Sequence, residues 1–321
     1  MSATTQASAV EGLRPRVDRG PILGPIMAVL RFMRRKPLGG IGLVIVTVLF
    51  ICAIFAPLIA THSFERQSIR ERLQSPSTSH FLGTDELGRD MFSRIVYGAR
   101  VSVLVGFGVV LVAGLLAATV GIVTGFYGGM VDLSVQRLVD ILIAFPGLIL
   151  LITFTALFPK PEAALNFGPI SLDPSAQRGM YIVLALGILF SFGSSRVVRG
   201  AVISIKNNQY IEGARAIGAM DGRILLRYIL PNIFPTLLIL STVQLGAAIL
   251  IESSLSFLGF GIPPPVPSWG GMLSGSARTV ITREPLLSVW PGLAIALAVF
   301  GFNMLGDALR DVLDPRLRGG R

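Results

Sequence analysis

Six stretches of this chain are nearly free of charge and long enough to approach or exceed the thickness of a lipid bilayer. A hydrocarbon core of about 30 Å takes about 20 apolar residues in a helix. Residues 38–60 and 101–127 supply 23 and 27 residues without one charge. Residues 139–158 carry a single charge, Asp140, at their edge. Residues 181–195 are short but continue through Val197 and Val198 past Arg196. Residues 230–251, with Gln244 inside, and 286–306 are uncharged. Within lipid, only helices and closed barrels satisfy every backbone polar group. The runs therefore predict an all-α polytopic membrane protein with six transmembrane helices.

Composition agrees. The 321 residues are 52% hydrophobic and 14% charged, where soluble domains run near 25%. The net charge of +10 is not that of a nucleic-acid binder, because the basic residues lie in the gaps between apolar runs. With both termini inside, the inner segments hold 18 Lys and Arg and the outer segments 10, which predicts an N-in, C-in orientation. The first run follows a basic leader of 37 residues and reads as a retained anchor rather than a cleaved signal. Cys52 stands alone in an apolar run and rules out an intramolecular disulfide.

The organisation that follows is a basic cytoplasmic tail, 1–36, with the first 25 residues disordered. A first span, 37–60, and an extracytoplasmic loop, 61–97, come next. A five-helix core covers 98–308, and a cytoplasmic tail covers 309–321. Gly121 with Gly125, and Gly114 with Ala118, have the spacing of close helix–helix contacts. Pro146, Pro235 and Pro291 each remove a hydrogen bond from a span and predict kinks.

No catalytic constellation is legible. His62 and His80 have no spacing partner for zinc, no serine sits in a GxSxG elbow, and none of Lys36, Lys160 and Lys206 completes a phosphate-binding GxxxxGK[ST] loop. If ATP drives this chain, another subunit must supply the site. An ion-coupled carrier usually keeps a mid-membrane carboxylate. Asp140, Glu252 and Asp307 all fall at or beyond the ends of the runs, which weakens that alternative and offers a membrane hydrolase no nucleophile or base. Ser241, Gln244 and Glu252 are candidates for a solute path. Ser241 and Gln244 serve equally well as hydrogen-bonding groups between helices.

Residues 207–231 interrupt the oil with organised polarity: YIEGARAIGAMDGRILLRYILP follows two asparagines. Asn207 or Asn208 is placed to cap a short helix, with Glu212 in its first turn. Ala214, Ile217 and Gly218 share a face at helical spacing. Gly218 is a natural stop, Asp221 caps a second helix, and Arg223 and Arg227 lie one turn apart on it. Pro231 marks re-entry into the membrane. A plain connection needs only a few residues. About 30 residues broken by a glycine predict a docking element.

The spacing Glu212-Gly213-Ala214-x3-Gly218-x9-Tyr228-x-Leu230-Pro231 resembles the EAA loop of ABC-importer permeases, with Gly213 and Tyr228 as departures. LGTDELGRDMFSRIVYGAR (82–100), GFYGGMVD (125–132), SFLGFGIPPPVPSWGGML (256–273) and NMLGDALRDVLDPRLR (303–318) extend the likeness over nearly the whole chain. Together they resemble the C-type permease of dipeptide, oligopeptide and nickel importers. That resemblance implies a type I ABC importer permease (MetI-like) fold in a bacterial or archaeal plasma membrane. It implies a homologous second permease, two cytoplasmic ATPase subunits, an extracellular binding protein and surrounding lipid as partners. It implies a non-catalytic subunit that binds no cofactor of its own, ATP and Mg being held by the ATPases. Nickel cargo is the alternative within the family.

The resemblance further implies that 207–231 is the coupling element. Glu212 would anchor it, Ala214 and Gly218 would allow close approach, and Gly213 and Ala216 belong to the same loop. Arg215, Asp221, Arg223 and Arg227 would supply charge. Leu230 and Pro231 would join it to the fifth span. Asp85, Glu86, Arg89 and Asp90 with Trp269 would face the binding protein, although the glycines and paired charges of GTDELGRD also suit a self-packed turn.

Overall fold

The computed structural model describes residues 36–158, 163–167, 170–274 and 284–313, with positions 29, 31–34 and 161 besides. The disordered reading of residues 1–25 and the tail beyond 313 lie outside the described residues.

The first apolar run becomes α1 (Pro37–Ile54), which opens on a proline where a missing N–H costs nothing. One turn, α2 (Ala56–Ile59), follows. The helix α3 (Met91–Tyr127) starts ten residues before the expected 101, because Asp90 caps it by accepting from the Ser93 N–H. Its 37 residues span about 55 Å, well beyond the bilayer core, so its polar first turns lie outside the apolar run. Gly128 and Gly129, both at positive φ, turn the chain into α4 (Gly129–Ala144).

The third run is not one straight span. It breaks into α4 and α5 (Gly147–Leu157), bent by 94°. Pro146 is the cause: it lacks an N–H and forces Phe145 into an extended conformation. Pro235 and Pro291, by contrast, lie inside helices that continue through them. A small antiparallel ribbon, β1 (Leu165–Phe167) and β2 (Ile170–Leu172), pairs Leu165 with Leu172 and leads into α6 (Pro174–Lys206). Then come α7 (Gln209–Ala216), α8 (Asp221–Ile224), a π-helical turn at Leu225–Ile229 and α9 (Leu230–Phe257). The short α10 (Trp269–Leu273) and α11 (Leu286–Leu313) complete the order.

The bundle is built around α3, which packs along α6 and also touches α1 and α9, while α11 packs on α1 and α9. Close approach of α3 and α6 needs glycine. A Cβ at Gly121 would lie 2.7 Å from Val198 Cβ, and one at Gly125 would lie 2.9 Å from Val202 Cβ. Gly114, of the other predicted pair, has nothing within 4 Å of such an atom. Ion pairs tie α4 to α6: Asp132 accepts from Arg199 and Asp140 from Arg196.

Two opposite faces are defined by cross-links between helix ends. On one, Lys36 meets Asp311 at 2.6 Å and Lys206 donates to the Phe126 carbonyl. On the other, the Arg178 guanidinium donates to the carbonyls of Thr155 (2.9 Å) and Phe260 (3.2 Å), and Trp269 donates to Ile95. Among the described residues, five helices are each long and apolar enough to cross a membrane. The broken α4–α5 pair leaves the first face beside Tyr127 and reaches the second at Thr155, so it serves as the sixth crossing.

Candidate functional site

On the first face α7 ends as its sequence demands. Gly218 takes φ +82, the Ala219 N–H returns to the Ala214 carbonyl at 3.0 Å, and the Gly218 N–H to that of Arg215 at 2.9 Å. This is a Schellman termination, which glycine permits. Asn208 sits at the N-cap but makes no side-chain capping bond, and Glu212 lies in the first turn. The cap of α8 is Met220, and Asp221 is its first helical residue rather than its cap.

The face shared by Ala214, Ile217 and Gly218 does not persist. The turn at Gly218 comes first, so Ala214 is 5% exposed while Ile217 is 84% exposed. Ile211 and Ala214 point into the protein, where Ile211 joins Val198, Val202, Ile224, Ile229 and Ile233 in one apolar cluster. Close approach at Ala214 is therefore to this chain's own helices. Outward face Glu212, Gly213, Arg215, Ala216, Gly218, Asp221 and Arg223. No side chain among the described residues pairs with the Glu212 carboxylate. The Arg215 guanidinium lies 5.7 Å from the centre of the Phe126 ring. Ile217 and Met220, 84% and 81% exposed, form an apolar tip that sequence reasoning gave no separate role.

The two departures have places. Gly213 has open space around it. The Tyr228 ring lies 6.4 Å from that of Tyr210, joining α7 to the next helix. Pro231 is not a joint between loop and membrane. Helix runs without a break from Asp221 to Phe257, and Leu230 and Pro231 lie within it, just after the π turn. Asn232 Nδ2 donates to the Tyr228 carbonyl one turn back, at 2.5 Å.

On the second face GTDELGRD folds on itself. Asp85 is 8% exposed and accepts from the N–H groups of Leu87 and Arg89, both 2.9 Å, and from Arg89 Nε at 2.7 Å. Gly83 and Gly88 take positive φ around it. Burial and the Asp85 carboxylate push the Glu86 carboxyl above its ordinary range, against the pull of Arg89, Arg72 and Arg94. Burial also pushes Asp90 up, but hydrogen bonds from Ser93 and His80 outweigh it and hold that carboxyl low. Trp269, expected on a docking surface, is 2% exposed and stacked into the space beside Gly98. It anchors the segment after α9 to α3. Glu86 and Arg89 do reach a cavity of about 820 Å³, shared with Arg94, Arg178 and Pro263–Pro265. Arg178, buried at the start of α6, had no motif to reveal it.

The path candidates separate. Gln244 donates to Ser194 on α6 and also lines a groove of about 460 Å³ between α4, α5, α6 and α9. Ser241 is half-buried and is not part of that lining. Glu252 is fully buried, so it faces no path in this arrangement. It lies inside α9 rather than at its end, and Ser256 and Ser253 donate to its carboxylate at 2.7 and 3.4 Å.

Residues 101–319 match the family described as the binding-protein-dependent transport system inner membrane component. Residues 25–76 match the N-terminal transmembrane domain of oligopeptide transport permease C. The chain is 39% identical over 304 residues to the dipeptide transport system permease protein of Alkalihalophilus pseudofirmus, covering 95% of this chain and 94% of that one. It is 37% identical to the glutathione transport system permease protein of Pectobacterium atrosepticum, covering 90% of each. It is 35% identical to the oligopeptide transport system permease protein of Bacillus subtilis, covering 91% of this chain and 89% of that one.

Proposed function

The chain belongs to the binding-protein-dependent transport permeases, and we propose that it forms half of the translocation path of an ATP-driven peptide importer. A homologous second permease completes the path. Two ATPase subunits dock beneath, and an extracellular binding protein delivers the cargo. This chain is the non-catalytic subunit and holds neither ATP nor Mg. The first face is cytoplasmic, with both termini on it, and the membrane is the plasma membrane. Short peptides are the cargo, in line with relatives named for dipeptide, oligopeptide and glutathione transport rather than for nickel.

One observation supports the coupling role above others. The exposed α7–α8 turn is continuous with α9 through unbroken helix, and its inner residues are locked into the bundle. Closure of the ATPases on ATP displaces the turn, and α9 moves with it as a lever with no hinge at Pro231. Work enters as a difference in docking between two states. The π turn supplies an adjustable stretch where the lever meets the bundle. Glu212, Arg215, Asp221 and Arg223 meet polar groups of the ATPase around the apolar tip. The groove beside Gln244 faces the second permease and forms this chain's wall of the path.

Reconstitution into proteoliposomes with both permeases, the ATPases and the binding protein tests the reading. Uptake of a radiolabelled dipeptide requires ATP and the binding protein, and Gly218→Trp or Glu212→Lys abolishes it while the complex still inserts. Uptake driven by an ion gradient without the ATPases overturns it.

A further inference from the structure

We propose that His62, His80 and Asp90 form a divalent-metal site, suited best to zinc, on the loop that leads into α3. The histidines stand 18 positions apart, outside any zinc spacing, yet the fold brings both onto one carboxylate. Their donor atoms and that of Asp90 all lie within 4.8 Å of one another. His80 Nδ1 is 2.9 Å and His62 Nδ1 is 3.8 Å from the same oxygen, Asp90 Oδ1. Zinc bonds of about 2.0–2.2 Å to nitrogen and oxygen place tetrahedral ligands about 3.3–3.5 Å apart, between those two distances. Two imidazoles and one carboxylate, with no sulfur, are a donor set that suits zinc.

The surroundings are those of a built site. The other carboxylate oxygen of Asp90 accepts from the Ser93 N–H at 2.8 Å and from Ser93 Oγ at 2.7 Å. The backbone N–H of His62 donates to that same Ser93 Oγ at 3.0 Å, and the backbone N–H of His80 donates to Ser77 Oγ at 3.1 Å, which fixes the chain at both histidines. The bonds to the Asp90 carboxylate orient it as a ligand and sharpen affinity. A cavity of about 30 Å³ opens beside the three, with Glu71 and Arg66 on its wall, and it has room for an ion and a water as fourth ligand. His80 and Asp90 are buried, and the His62 side chain, 30% exposed, leaves an entry route. A bound ion takes the place of the hydrogen bond between His80 Nδ1 and Asp90 Oδ1. It staples the chain just after α2 to the first turn of α3, at the end of the bundle opposite the α7–α8 turn.

The test uses the full chain in detergent, stripped with a chelator and titrated with zinc chloride, and with cobalt(II) for its spectrum. One ion binds per chain with a dissociation constant of micromolar or tighter. Cobalt shows the intense visible bands of four-coordinate geometry, and zinc raises the melting temperature. His62→Gln, at the exposed ligand, keeps the metal-free melting temperature of the wild type and weakens binding by at least about tenfold. His80→Gln does the same to binding. No saturable binding, or binding equal in His62→Gln and wild type, overturns the proposal.

Discussion

The apolar tip of the α7–α8 turn sets a quantitative test of docking. Ile217 and Met220 are 84% and 81% exposed, and both lie outside the apolar cluster that holds the turn to the bundle. Fully burying such a side chain is worth about 1.5–3 kcal/mol. Scaled by the exposure each has to lose, the pair contributes about 2.5–5 kcal/mol to an interface that covers it. At about 1.4 kcal/mol per decade, that is roughly a 60-fold to 4,000-fold weakening of ATPase association when both become serine. The I217S/M220S double variant should insert and melt like the wild type, because neither side chain supports the fold. The permease pair in nanodiscs is titrated with purified ATPase subunits, and the dissociation constant and the coupled ATPase rate are read together. A dissociation constant within about threefold of wild type, with uptake intact, refutes the placement of the ATPase contact at this turn.

Packing predicts that Gly121→Leu destabilises the bundle by about 1–3 kcal/mol or prevents assembly, because its first added atom meets Val198 at 2.7 Å. Gly114→Leu is the control, with open space there, and detergent thermal melts compare the two. Trp269→Phe removes the indole donor to the Ile95 carbonyl, which keeps its bond within α3, at a cost of about 0.5–1.5 kcal/mol in the same assay. Asp132→Arg and Arg199→Asp should each lower the melting temperature, and the double reversal should recover part of the loss, since the pair joins α4 to α6. Asp90→Asn keeps a capping oxygen but removes the charge that accepts from Ser93 and His80, and lowers the melting temperature at neutral pH. Because the folded carboxyl titrates below its ordinary value, the gap is complete above about pH 4 and closes as pH falls through the folded value.

The spans, the Gly218 turn and the motif order that placed the chain in its family were all legible from residues alone. Each rests on short-range physics. An apolar run long enough for the bilayer has no alternative to helix, and a glycine after a helix accepts the left-handed turn that a side chain resists. At GTDELGRD, where two glycines accompany paired charges within eight residues, the sequence left a self-packed turn and a docking surface both open. Facing was not legible. Ala214 and Ile217 share a helical face by counting, but the chain turns between them, and one is buried while the other is exposed. Pro146 and Pro235 look alike in sequence. One ends a helix and the other sits inside one, because the α9 helix is held on several sides and α4–α5 is not. Trp269 reads as a docking group and Glu252 as a solute-path group, yet the tertiary structure buries both. His62 and His80 acquire a partner only when the loop folds back onto the cap of α3. The bilayer acts on each segment separately, so the sequence by itself determined which segments cross. Which side chains meet depends on distances set by several helices at once, and only the tertiary structure decided that.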